Sequence, residues 1–186
     1  MNVTAINLRQ WRDLCGVVMQ DGKIFSDTIL NNIVLDDDHI DYERLREVCR
    51  TAQLEEEINN MPKGFETMIG ETGRGLSGGQ KQRLLIARAL YQDPEFLFLD
   101  EATNSLDVMN ERKIVEALNN AFKQRTVVVI AHRLSTIQHA DQIVVLNQGY
   151  IAEIGNHQTL MEKKGLYYQL VATQATVNPC IPSSTI

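Results

Sequence analysis

Apolar residues follow two different rhythms along this chain. In the first third they recur at helical spacing among many polar neighbours. Residues 25–35 place Ile29, Leu30 and Ile33 on one face, which predicts a helix. Asp36-Asp37-Asp38 interrupts it and leads into a second helix over 42–53, with Leu45, Val48 and Cys49 facing inward. Ahead of both, Val17-Val18-Met19 reads as the end of a buried strand. Residues 60–76 hold one proline and the glycines Gly64, Gly70, Gly73 and Gly75, so they read mainly as loop.

From residue 78 onward short apolar runs alternate with helical stretches. A strong helix is predicted over 78–91, with Leu84, Leu85, Ala87 and Leu90 apolar and Pro94 beyond its end. Phe96-Leu97-Phe98-Leu99 ends in Asp100-Glu101, a helix follows over 110–122, and the β-branched run 126–130 ends in Ala131-His132. The runs 142–146 and 150–154, joined by Asn147-Gln148-Gly149, predict a hairpin. Helices over 156–163 and 166–173 close the pattern, and 176–186, with Pro179 and Pro182, reads as a frayed tail. Strands without polar alternation, separated by helices, predict an α/β fold with a parallel sheet buried on both faces. Such sheets gather function at the carboxyl ends of their strands. The polar residues there are Gln20, Asp100, Glu101 and His132.

Composition narrows the function classes. The 186 residues carry 18 Lys+Arg against 24 Asp+Glu, a net charge of −6, which argues against a general nucleic-acid binder. No stretch reaches the roughly 18–20 apolar residues of a membrane span, and no apolar segment follows the N-terminus as in a signal peptide. Cys15, Cys49 and Cys180 are odd in number and far apart, which reads as free structural thiols in a reducing compartment.

Two segments carry candidate chemistry. Adjacent carboxylates ending an apolar strand are costly near a core unless a cation pairs with them. Asp100 then suits Mg²⁺ on a nucleotide phosphate, and Glu101 suits a water attacking the γ-phosphate. The same pair also suits a helix start, since Thr103, Asn104 and Ser105 are capping types, and the residues alone leave both readings open. Ser77 and Gln80 stand at capping-box spacing before the long helix. A cap does not need Gly78 and Gly79, each of which costs about 1 kcal/mol relative to Ala in a helix. Bare N–H groups at a helix start attract phosphate. His132 reads as a satisfied polar residue or as a phosphate donor, and Gln20 by default as a surface glutamine. The motif G-x-x-x-x-G-K-[ST] is missing: Gly16 to Ile24 has one residue too many and Ile24 in place of Ser or Thr, and residues 70–75 have no lysine.

Together these segments resemble the nucleotide-binding domain of ABC transporters. LSGGQKQR at 76–83 is similar to the family's signature motif, FLFLDE at 96–101 to Walker B with its catalytic glutamate, and Ser105-Leu106-Asp107 to the D-loop. IAHRLST at 130–136 resembles the switch-histidine segment and VVMQD at 17–21 the Q-loop. The similarity runs from about residue 7 to about 174. GETGRGLSGGQ at 70–80 and the stretch 130–157 resemble the exporter branch. MPKGFETMIGE and DEATNSLDVMNER look most like peptide and bacteriocin exporters that carry a leader-cleaving peptidase domain.

The resemblance implies a P-loop NTPase-like, RecA-like sheet with an inserted helical subdomain. The P-loop strand and the antiparallel β-subdomain are missing, so the chain reads as the C-terminal part of a longer polypeptide or as a truncated product. Residues 1–174 would form the partial ATPase domain, with 25–76 helical and 77–174 the signature helix and the rest of the core. Residues 175–186 would be a flexible tail. The implied ligands are ATP and Mg²⁺, and the implied partners are a second nucleotide-binding domain and transmembrane domains at the cytoplasmic face of a membrane, with no nucleic acid. In such a pair Ser77, Gly78, Gly79 and Gln80 cap the partner's ATP. Asp100 holds Mg²⁺ through water, Glu101 is the general base, and His132 holds the γ-phosphate. Asp107 links the two sites, and Gln20 senses Mg²⁺ or the attacking water. The competing expectations are a non-transport ATPase of the same fold and a non-catalytic remnant.

Overall fold

Three short parallel strands organise the first part of the chain. They are β1 (Cys15–Val18), β2 (Phe96–Asp100) and β3 (Thr126–Ile130), in the order β1-β2-β3. Gly16 pairs with Leu97 and Val18 with Leu99, while Leu97 and Leu99 pair onward with Val127 and Val129, so the strands end level. The computed structural model describes residues 7–35, 39–71, 73, 75–101, 114–118, 125–130 and 137–177, with side chains through 174. The described chain divides into two compact units, the first ending at Ile130 and the second beginning at Ala131.

Among the described residues burial alternates along β1 and β2, fully buried on one face and half-buried to exposed on the other. Gly16, Val18, Leu97 and Leu99 are buried against the helical layer. On the opposite face Val17 and Val128 are exposed, and Val17 is 53% exposed. Among the described residues that face is covered at its start by α1 (Leu8–Asp13), whose Trp11 ring lies 5.0 Å from that of Phe96. The pattern of large apolar residues signals a strand but cannot say how many layers cover it.

The helical layer consists of α2 (Ile29–Val34), α3 (Tyr42–Thr51), α4 (Glu55–Asn59), a 3₁₀ turn at Gly64–Glu66 and α5 (Gly78–Tyr91). The expected 25–35 helix starts only at Ile29, because the Thr28 hydroxyl accepts the Asn31 N–H at 3.0 Å and caps it there. Asp41 caps α3 in the same way through the Arg44 N–H. The sequence pattern missed α4. Its first turn is Glu55-Glu56-Glu57, acids that suit a helix start electrostatically, and it buries Ile58. Within 60–76, Met68 forms an antiparallel bridge to Thr28.

Ile33, Leu45, Cys49, Ile58, Ile69, Leu84, Ile86 and Leu97 share one fully packed core, each side chain contributing roughly 1.5–3 kcal/mol. Gly16 makes this packing possible. A Cβ there would meet Pro94 Cγ at 2.8 Å and the Ala89 carbonyl at 2.9 Å. So α5 lies directly on β1 and runs against the strands, reaching the start of β2 through residues 92–95. Leu85 lies beside Gly22, just past the end of β1. From Leu85 to Gly78 the helix runs on for about 10 Å, so its first turn projects beyond the strand ends.

In the second unit, β4 (Ile143–Asn147) and β5 (Tyr150–Gly155) form the expected antiparallel hairpin, with left-handed Gln148 and Gly149 at the turn. Helices α6 (His157–Lys163) and α7 (Leu166–Val177) follow, and Ile143, Val145, Leu160 and Tyr167 make the core. The Glu153 carboxylate accepts the Leu166 and Tyr167 N–H groups at 3.2 and 2.9 Å, so β5 caps α7. Helix α7 runs to Val177, past its expected end. No helix among the described residues is long and apolar enough to cross a membrane.

Candidate functional site

The carboxyl edge of β1 and β2 collects three of the expected residues. Asp100 is the last residue of β2 and half-buried. Glu101 follows with φ +48°, a left-handed backbone that costs a non-glycine residue about 1–2 kcal/mol. Its N–H donates to the Ile130 carbonyl at 2.9 Å, which fixes the turn to the end of β3. Strain of this kind is often found at functional sites. Gln20 lies two residues past β1, exposed, in a turn closed by the Gly22 N–H on the Met19 carbonyl at 3.1 Å. Since β1 and β2 are neighbours with Val18 opposite Leu99, Gln20 and the acid pair leave adjacent strand ends. His132 and Asp107 lie outside the described residues, as do Thr103, Asn104, Ser105 and Cys180.

The structure keeps Ser77–Gln80 apart from that edge, at the projecting start of α5. The Ser77 hydroxyl accepts the Gln80 N–H at 3.2 Å and the Gln80 side-chain oxygen accepts the Ser77 N–H at 2.9 Å. This is a complete capping box. Ser77 and Gly78 are exposed and Gly79 is half-buried. Neither glycine has a left-handed backbone, so conformation does not require glycine at either position.

Sequence reasoning missed three supports beneath these groups. Arg83, buried in the second turn of α5, pairs with Glu57 of α4 and ties the signature helix to that helix. Asn32, fully buried, accepts the Phe25 N–H at 2.9 Å and donates to the Phe25 and Thr28 carbonyls at 3.0 and 2.9 Å. Arg88 donates to the Asn32 carbonyl at 2.6 Å, to its side-chain oxygen at 3.0 Å and to the Lys23 carbonyl at 2.9 Å, with its guanidinium 5.0 Å from the centre of the Phe25 ring. Burial pushes the Arg88 pKa below its ordinary value. Past the C-terminus of α5, Asp93 accepts from both Arg44 and Arg125 at 2.8 Å. The arginine pairs in these networks join residues 26 to 65 positions apart, and no local pattern announces them. The one clue was polar or charged residues, Asn32, Arg83 and Arg88, inside helices packed on both sides.

Cys15 and Cys49 are free thiols, as expected. Burial, with the charge of Glu55 adding to it, pushes the Cys49 thiol up to about 12, so it stays protonated. Among the described residues no group of three or more His, Cys, Asp or Glu side chains could hold a metal by itself. Asp100 and Gln20 offer one carboxylate and one amide oxygen. That small oxygen set fits Mg²⁺ carried on a nucleotide, where phosphates and water fill the remaining positions.

Polar residues gather at adjacent parallel strand ends, the edge outside which α/β proteins commonly bind ligands. The comparisons give the family. A family model described as ABC transporter matches residues 1–104. P-glycoprotein 14 of Caenorhabditis elegans is 47% identical over 93% of this chain and 13% of its own length. The ATP-dependent lipid A-core flippase of Chromobacterium violaceum is 49% identical over 91% of this chain and 29% of its own. A bacterial Atm1-family ABC exporter, solved with ATP bound, superposes with a TM-score of 0.88 at 39% identity, covering 93% of this chain and 30% of that one. The chain belongs to the ABC transporter family and corresponds to part of an exporter-type ATPase domain. It spans between 13% and 30% of the length of these relatives.

Proposed function

We propose that this chain forms the signature and catalytic-acid part of an ATPase domain that drives outward transport from the cytoplasmic face of a membrane. The observation that carries the reading is the separation of two groups. Gln20, Asp100 and Glu101 share one strand edge, while Ser77–Gln80 stands on a helix start projecting beyond it. Two such domains packed head to tail would each place the helix start of one over the strand edge of the other.

In that arrangement Asp100 holds Mg²⁺ through water and Gln20 offers its amide oxygen. Mg²⁺, when bound, neutralises charge on the β- and γ-phosphate oxygens. The Glu101 carboxylate orients the attacking water and accepts its proton. The N–H groups of Gly78 and Gly79, with the positive end of the α5 dipole, face the γ-phosphate of the partner's ATP. His132 donates to the same phosphate, and Asp107 links the two sites.

The test is Glu101→Gln in the transporter polypeptide that contains these residues. Hydrolysis is expected to fall at least ~100-fold, with an ATP-bound dimer accumulating. Normal turnover would remove Glu101 from the chemistry and favour the alternative, a non-catalytic chain that only caps a partner's nucleotide. As to cargo, residues 61–71 and 100–112 are worded like peptide and bacteriocin exporters. The relatives above are named for P-glycoprotein and lipid A flipping, so the reading is kept at export.

A further inference from the structure

We propose that Arg88 is a positioning residue for Gln20, fixing the connection between β1 and α2 onto the signature helix. The inference rests on the reading of Gln20 as part of the nucleotide site, and it deepens that reading.

The connection leaves β1 at Val18 and enters α2 at Ile29. Its second half is held at almost every point. The Arg88 guanidinium bonds the Lys23 carbonyl and lies over the Phe25 ring. Asn32 bonds Phe25 through both its N–H and its carbonyl, and Arg88 in turn bonds Asn32 through the carbonyl and the side-chain oxygen. Gly22 is pressed on Leu85, where an added Cβ would stand 2.5 Å from a Leu85 methyl. Leu85 and Arg88 are three apart, so they share the face of α5 turned to this connection.

Every hydrogen-bonding position of the buried Asn32 amide is filled, and a satisfied buried network of this kind is rigid. Residues 23–28 are therefore carried by the helices, whereas 15–18 belong to the sheet. Residues 19–22, which contain Gln20, join the two, and Gly22 at their end rests on Leu85. Ser77 and Arg88 are 11 positions apart on one unbroken helix, about 16 Å. One helix thus carries Ser77–Gln80 at its start and, through Arg88, holds the Lys23 carbonyl three residues from Gln20.

The first measurement is amide hydrogen exchange on the 186-residue chain, wild type against Arg88→Lys. Lysine keeps the charge but has one nitrogen in place of the three that bond Lys23 and Asn32. The bonded amides of Gly22, Phe25 and Asp27 are expected to exchange at least fivefold faster, with Leu45–Cys49 and Leu97–Leu99 unchanged. Equal acceleration in all these segments would reduce Arg88 to a general stabiliser, and no acceleration at 22–27 would end the proposal. Phe25→Leu, at an exposed ring, repeats the test with little risk to folding and should loosen Gly22 and Asp27 about twofold; no change there counts against the proposal.

The second measurement is ATP hydrolysis by the transporter polypeptide. Arg88→Lys is expected to lower kcat about tenfold with KM for MgATP within twofold of wild type. An unchanged kcat would overturn the positioning role. A wild-type rate in Gln20→Ala would instead overturn the reading of Gln20 as a site residue, leaving the exchange result as a fact about the connection alone.

Discussion

Helices α5 and α6 begin with the same reciprocal pair of hydrogen bonds but differ in the two residues between the caps. In α6, Asn156 accepts the Thr159 N–H at 2.9 Å and Thr159 accepts the Asn156 N–H at 3.1 Å, around His157 and Gln158. His157 bonds the Tyr167 hydroxyl at 2.8 Å, so that first turn is built into its own core. In α5, Ser77 and Gln80 make the equivalent bonds around Gly78 and Gly79, which carry no side chains. Capping therefore accounts for Ser77 and Gln80 and leaves the glycines unexplained. Their backbone is ordinary helix, and they lower helix stability. A turn that gives up stability to keep its N–H groups bare is one to which something comes close.

The sharpest way to break this comparison is to change one residue of each turn to alanine. Gly79→Ala should raise the stability of α5 by up to about 1 kcal/mol. In the transporter it should cut ATP hydrolysis by about 100-fold, the scale of losing preorganised donors at a reacting phosphate. His157→Ala should do the reverse, losing stability with the bond to Tyr167 and leaving hydrolysis unchanged. Thermal denaturation and steady-state turnover of both variants decide it. If Gly79→Ala is active, the glycines are not there for phosphate.

A smaller effect tests whether the caps themselves are equivalent. Ser77→Ala and Asn156→Ala should each cost about 1 kcal/mol in urea denaturation, since each removes one reciprocal cap. A much larger loss for Ser77 would mean that its hydroxyl has structural work beyond the cap. The glycines could then be accommodating that packing rather than a ligand.

How much of this could be read beforehand follows from the range of each interaction. The Ser77–Gln80 box and the full length of α5 were legible because caps and periodicity act within a turn or two. The hairpin at Gln148-Gly149 was legible for the same reason, and so was the end of β2 at Asp100. The short α4 was not, because Glu55-Glu56-Glu57-Ile58 carries a single apolar residue and no period. Nor were the bond of Arg88 to Asn32, the pair Arg83–Glu57, or the open outer face of β1, since each depends on residues that meet only after folding. The position of Gln20 and Glu101 past neighbouring strand ends was legible, but the left-handed turn at Glu101 was not, because glutamate has no preference for it.

The far ends of the same two helices extend the comparison and carry the smallest effect. Helix α6 stops on Lys164, left-handed, with its N–H returned to the Met161 carbonyl, a local ending. Helix α5 stops against a charge cluster. Arg44 of α3 donates to the Leu90 carbonyl at 2.7 Å and to Asp93, and Arg125, just before β3, donates to the same carboxylate. The hydrogen bond from Arg125 does most to hold Asp93 below its ordinary pKa; burial opposes it, and the nearby charges of Arg44 and Arg125 add to the lowering. With the folded value depressed, the stabilisation is present above the unfolded value of about 3.9 and is lost as pH falls through the folded one. Asp93 is well exposed to solvent, so the effect should stay within the range of surface ion pairs, below about 1 kcal/mol, and shrink with added salt. Asp93→Asn tolerates the φ of +51° at this position and removes only the charge. Urea midpoints of wild type and Asp93→Asn should differ at pH 6 and converge as pH falls below about 4. A constant gap across that range would assign the cluster to hydrogen bonding rather than charge, and the end of α5 would then be as local in its chemistry as the end of α6.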